Sequence, residues 1–204
     1  ESDRSFLKLR PTLSLVTNVD REHLDTYADM ADVTAAFTTF ALSVPAHGTS
    51  VLCADDPICA HIAKSGAEKT LTYGFSETAR VRGEVSIQEG GFPRVTGSGP
   101  AGGFEFTLGV SGEMNALNAL GAMAVAMSLD IPPALASRSL ASFRGVARRL
   151  EWKGCRGGVD VWDDYGHHPT EIVATLKALK ARNPRRRLVT LFQPHRVTRT
   201  RSLW

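Results

Sequence analysis

Nine consecutive residues, Asp163 to Glu171, hold two adjacent carboxylates, a phenol and two imidazoles around one glycine. An alternating run through Val159 and Val161 predicts a strand leading into them. Pro169 suits the first helical position, where no backbone N–H is needed, and Ile172, Val173, Leu176 and Leu179 recur behind it at helical spacing. The group therefore sits on a strand-to-helix turn. In parallel α/β sheets that edge is where ligands bind, and the helix N-terminus favours negative charge. Local chemistry leaves three readings open: a nucleotide or anion site, a solvated turn that caps the helix, and a metal site on Asp163, Asp164, His167 and His168. Adjacent residues rarely aim at one ion, which weighs against the last.

Other stretches carry comparable chemistry. Leu188–Phe192 predicts a strand that runs into Gln193-Pro194-His195-Arg196-Val197-Thr198-Arg199-Thr200-Arg201. Guanidiniums and an imidazole at a strand's carboxyl end form an anion-site signature. Thr12–Thr17 predicts a buried strand ending in a polar loop with His23 and Asp25, which could serve a metal or a phosphate, or simply cap the next helix. Asn115 and Asn118 lie three apart near a helix start; paired amides can read an adenine edge, although asparagine is ordinary there. Arg148 and Arg149 fall at a change of texture and could reach a ligand held between domains. Asp55-Asp56-Pro57 reads as helix capping, and Gly97–Gly103 as a hairpin turn, because it lacks a Gly-Lys-Ser/Thr ending and a following helix. The basic run Arg182–Arg187 suits a helix C-terminus.

These residues need a scaffold. Strands at Thr49–Ala54 and Thr70–Gly74 alternate with amphipathic helices, one of them marked by Met30, Val33, Phe37, Phe40 and Val44. A β–α–β–α–β order predicts a parallel sheet with right-handed crossovers. Between Ala79 and Val110 short alternating runs separated by glycines predict a small antiparallel sheet. A long helix is expected from Ser111, as its cap, to Leu129, and Ile131-Pro132-Pro133 breaks it before a shorter helix to about Ser142. Strand texture returns at Phe143, which divides the chain into domains at 1–142 and 143–204.

The totals bound the classes. The chain has 204 residues, 43% hydrophobic and 22% charged, as in globular proteins. A net charge of +3 suits small anionic ligands and does not call for nucleic acid. Cys53, Cys59 and Cys155 are scattered, which points to a reducing cytoplasm rather than a disulfide scaffold. No apolar run is long enough for a membrane span. The chain opens Glu1-Ser2-Asp3-Arg4-Ser5 without an initiator methionine and ends at Trp204 within what reads as a helix start, so a fragment is expected.

Glu1–Leu7, Thr17–Tyr27, Asn115–Leu120, Arg148–Glu151, Asp163–Glu171 and Phe192–Thr200 occur in one order and at suitable distances. Together they resemble the Mur ligases of bacterial cell-wall synthesis, over nearly the whole chain. The resemblance implies an α/β chain: part of a central P-loop-type ATPase domain followed by the start of a Rossmann-like domain. The UDP-binding domain and the phosphate-binding loop would lie outside it, so the chain alone is expected not to turn over. ATP and Mg2+ are the implied cofactors. His23 is assigned to magnesium, Asn115 and Asn118 to adenine, Arg149 to the ATP phosphates, and Asp164 and His167 to the nucleotide. His195, Arg196 and Arg199 would hold the substrates, for which the last two motifs point to the member that joins L-alanine to UDP-N-acetylmuramate. A relative that attaches a recycled peptide, a non-catalytic nucleotide-binding module and a metal hydrolase are the alternatives. One departure stands out: the family usually has histidine where this chain has Met114.

Overall fold

The structure, a computed structural model, describes residues 3–21 and 26–194. Strands β1 (Leu13–Val16), β2 (Thr49–Cys53) and β3 (Thr70–Gly74) pair in parallel, with Leu15 opposite Val51 and Val51 opposite Leu71. The crossovers are helices α1 (Met30–Leu42) and α2 (Pro57–Ser65). Val51 and Leu52 of the central strand β2 are fully buried, as a strand with parallel neighbours and both faces covered must be. The buried hydroxyls of Ser14 and Ser50 lie 3.0 Å apart and satisfy each other across the β1–β2 ladder.

Both aspartates at the end of β2 are structural, as expected. Asp56 caps α2: its Oδ1 accepts from the N–H groups of Ile58 at 3.0 Å and Cys59 at 2.8 Å. Its Oδ2 accepts from Val19 at 3.3 Å, tying the loop after β1 to the same cap. Asp55 accepts from Phe75 and Ser76, both at 2.7 Å, and so fixes the exit of β3. Asp56→Ala should therefore cost about 1–2 kcal/mol of stability, the range for a lost helix cap. Urea denaturation checks this; a loss below a few tenths would mean the cap is dispensable.

The sheet does not stop at β3. Strands β4 (Val81–Ile87), β5 (Pro93–Gly99) and β6 (Gly102–Thr107) complete a six-stranded sheet in chain order. The sequence reading separated these strands into a sheet of their own. Instead β4 runs parallel to β3, Tyr73 opposite Val81, and covers an edge that would otherwise be unpaired. The glycine-rich stretch is a tight connection between β5 and β6, as predicted. Helix α3 (Glu113–Ser128) buries Leu120, Met123 and Ala124. Its close approach depends on Gly83, where a Cβ would come within 2.7 Å of Leu120 Cδ2. Ser111 is not where α3 begins: the Gly112 carbonyl accepts from Asn115 and Ala116, and the Ser111 hydroxyl accepts from Arg182 at 2.8 Å. Helix α4 (Pro133–Ser142) follows the proline break.

The chain divides into two compact units, residues 1–84, 96–105 and 117–137, and residues 85–95, 106–116 and 138–204. The second unit contains the antiparallel pair β7 (Glu151–Arg156) and β8 (Val159–Asp163) and helix α5 (Pro169–Arg182). Here one expectation fails. Leu188–Phe192 forms no strand, and Leu191 is 97% exposed. A strand exists through its ladder, and among the described residues the partner of β8 is β7.

Candidate nucleotide site

The second unit builds an unusual turn. Arg148 has φ 61° and Leu150 has φ 49°, so Arg149 lies between two non-glycine residues in the left-handed region. Each such residue costs on the order of 1–3 kcal/mol unless its surroundings over-determine it. They do. The Arg148 N–H donates to Glu151 Oε2 at 2.8 Å, and the Arg148 carbonyl accepts from Tyr165 N–H at 2.8 Å. The Arg148 guanidinium lies 4.3 Å from the centre of the Tyr165 ring. The Leu150 N–H donates to Asp164 Oδ2 at 2.8 Å. Between them, Arg149 Nη1 meets Glu171 Oε1 at 3.2 Å.

The acidic motif is thus a clamp on the basic one. Asp164 also accepts from Gly166 N–H at 2.7 Å and from Thr175 Oγ1 at 3.3 Å. Glu171 Oε2 accepts from the N–H groups of His167 at 3.2 Å and His168 at 3.4 Å. His168 is buried and caps α5, its Nδ1 accepting from Thr170 N–H at 3.3 Å. His167 Nδ1 lies 2.9 Å from the Tyr165 carbonyl. A carbonyl can only accept, so Nδ1 is the donor in this contact. Among the described residues no three metal-ligating side chains converge.

Glu171 makes the clamp sensitive to acid. Burial alone would raise its carboxyl; the N–H groups of His167 and His168 and the Arg149 guanidinium outweigh burial and hold it below its ordinary 4.5. A depressed carboxylate contributes stability that is present above its unfolded pKa and lost as pH falls through the folded one. Below about pH 4.5 the wild type should therefore lose Tm more steeply than Glu171→Gln. Thermal melts of both at matched pH check this, and parallel slopes would contradict it.

Beside the turn lies a cleft of about 400 Å³. Arg144, Arg149 and Arg182 line it together with Phe92, Trp152 and Trp162. Arg182 sits 5.0 Å from the ring centres of both Phe92 and Trp162. Three guanidiniums around one cleft, Arg182 among them set against two aromatic rings, suit a polyanion carrying a planar ring. Of the residues assigned from sequence, Arg149 lines this cleft. Asn115, half-buried on the first turn of α3, donates its amide to the Ser111 carbonyl at 2.8 Å, and Asn118 is exposed on the same helix. His23, His195, Arg196 and Arg199 lie outside the described residues. Sequence reasoning missed Arg182, read as part of a solvated basic turn, and missed that Glu171 pairs with Arg149. The spacing of Glu171, three after the cap His168, was an available signal, since that is the capping-box position.

Comparison with known proteins matches two stretches of the chain. The Mur ligase middle domain matches residues 2–126, and the Mur ligase glutamate ligase domain matches residues 148–203. A UDP-N-acetylmuramate–L-alanine ligase of Solidesulfovibrio magneticus is 47% identical over 206 aligned residues, covering 100% of this chain and 45% of that protein. Its counterpart from Nitratidesulfovibrio vulgaris is 44% identical with the same coverage. The chain thus spans a little under half the length of these curated relatives. Among solved structures, a UDP-N-acetylmuramate–alanine ligase of Thermotoga maritima superposes with a TM-score of 0.79 at 27% identity, over 96% of this chain and 44% of the other. A murein peptide ligase of Psychrobacter arcticus, at TM-score 0.63 and 24% identity over 89% of this chain and 37% of the other, shares the fold. With the middle-domain match alone spanning more than half of its residues, this chain belongs to the Mur ligase family.

Proposed function

We propose that the protein carrying this chain is an ATP-dependent ligase that joins L-alanine to the lactyl carboxylate of UDP-N-acetylmuramate, in cytoplasmic peptidoglycan synthesis. The observation that carries this reading is 47% identity, along the entire chain, to a protein named for that reaction. In the proposed reaction the carboxylate oxygen takes the γ-phosphoryl group of ATP. The alanine amine then attacks the acyl carbon, the C–O bond breaks, and phosphate leaves with the oxygen. Such transfers depend on positioning and on neutralising charge over the phosphoryl oxygens. Bound magnesium would supply part of that charge, and His23 is its proposed ligand. Arg149, on its clamped turn, would meet the phosphates; the cation-rich cleft it lines fits a polyanion. Asn115 and Asn118 would face adenine, with Asp164 and His167 at the nucleotide. His195, Arg196 and Arg199 would hold the lactyl and alanine carboxylates. The domain boundary is proposed near residue 143.

The test is phosphate release by the whole protein with ATP and UDP-N-acetylmuramate, comparing L-alanine with a tripeptide as acceptor partner. Turnover with alanine is expected; turnover with the peptide alone would move the assignment to the recycling ligase.

A further inference from the structure

We infer that Arg182 is a positioning residue for base recognition: through Ser111 it fixes the turn before α3, and with it the amide of Asn115. This rests on the reading that Asn115 faces adenine. Ser111 is buried and held at both ends. Its hydroxyl accepts from Arg182 Nη1 at 2.8 Å, and its carbonyl accepts from Asn115 Nδ2 at 2.8 Å. The Arg182 guanidinium is aimed before it bonds, because it lies 5.0 Å from the ring centres of both Phe92 and Trp162. One helical turn earlier on α5, the buried Ala178 backs the next residue: a Cβ on Gly112 would come within 2.9 Å of Ala178 Cβ. Gly112 has φ 102°, and its carbonyl accepts the N–H of Asn115 at 3.0 Å. The Ser111–Gly112 peptide therefore sets both the first turn of α3 and the side chain of Asn115. Rotation at glycine meets little steric resistance. Without the Arg182 tie, that peptide can turn its carbonyl away from Asn115. The consequence is chemical. A carbonyl only accepts, so the Ser111 contact decides which end of the Asn115 amide is nitrogen. One N–H is engaged there; the other N–H and Oδ1 stand side by side as donor and acceptor. An adenine edge presents the complement, an amino donor beside a ring-nitrogen acceptor, whereas guanine presents a carbonyl oxygen where adenine has its amino group.

The test is equilibrium binding of ATP, GTP and inorganic tripolyphosphate to the whole protein, in wild type, Asn115→Ala, Ser111→Ala, Arg182→Gln and the Ser111→Ala/Arg182→Gln double variant. Ser111→Ala removes a hydroxyl and no bulk, so the fold is kept. It should lower the preference for ATP over GTP by about tenfold, or about 1.4 kcal/mol, and leave tripolyphosphate binding within about twofold of wild type. Arg182→Gln also removes a charge from the cleft, so it should weaken tripolyphosphate as well, yet lower the base preference by the same factor as Ser111→Ala. The double variant should lower that preference by no more than about a further twofold, because both changes remove one interaction. Asn115→Ala should lower it at least as far. A lowered preference in Asn115→Ala with an unchanged one in Ser111→Ala, or losses that multiply in the double variant, would overturn the inference and leave the adenine reading standing. An unchanged preference in Asn115→Ala would overturn both. A wild type that binds neither nucleotide would overturn the ligase reading with them.

Discussion

Arg199→Lys in the whole protein should lower kcat/KM by roughly 30- to several-thousand-fold, while Arg201→Lys stays near wild type. Three guanidiniums, Arg196, Arg199 and Arg201, follow Phe192 within a few residues and cannot all face one way. On the proposed reading Arg196 and Arg199 are substrate contacts and Arg201 is not. A guanidinium grips a carboxylate through two parallel hydrogen bonds; an ammonium at the same place is a single point charge. Losing such a contact in a closed, desolvated site costs about 2–5 kcal/mol, whereas a solvated arginine contributes almost nothing. Steady-state kinetics varied in alanine and in UDP-N-acetylmuramate separately would show which carboxylate Arg199 holds. Equal, mild effects in the two variants would return this cluster to a solvated helix start.

The largest stability effect is expected at Leu120. This side chain is fully buried on α3 and packs where Gly83 leaves β4 without a side chain. Leu120→Ala removes its contacts and leaves a cavity that a glycine-lined strand cannot fill. The expected loss is about 2–5 kcal/mol in denaturant unfolding of the 204-residue chain. Leu129→Ala, at a residue 57% exposed just past α3, should change stability by less than about 0.5 kcal/mol. Similar losses at the two positions would mean that α3 is not packed as described.

Much of the scaffold was legible because local chemistry fixes it. The apolar runs at Leu13–Val16 and Thr49–Cys53 have the length and flanks of buried strands, and Asp56 before Pro57 is a start signal that needs no tertiary partner. What failed needed a partner outside its own segment. Leu188–Phe192 has strand composition, but composition supplies no ladder. Val81–Ile87 alternates like a hairpin strand, and nothing local says that its first neighbour is β3, in parallel. The site divides in the same way. Arg149 and Asp164 were each recognisable as chemistry-bearing, yet the bond from Leu150 to Asp164 joins positions 14 apart and depends on left-handed backbone angles that no periodicity encodes. Arg182 was invisible for a related reason: a basic helix end looks solvated until Phe92 and Trp162 are folded around it.

The central claim is that the lactyl carboxylate is activated as an acyl phosphate before alanine attacks it. Isotope transfer tests this without reference to any one residue. UDP-N-acetylmuramate carrying ¹⁸O in both lactyl carboxylate oxygens would be turned over with ATP and L-alanine, and the released phosphate weighed by mass spectrometry. One labelled oxygen should appear in each phosphate and one should remain in the amide, because the C–O bond breaks on the carboxylate side. Unlabelled phosphate, with both labels retained or lost to water, would contradict the account.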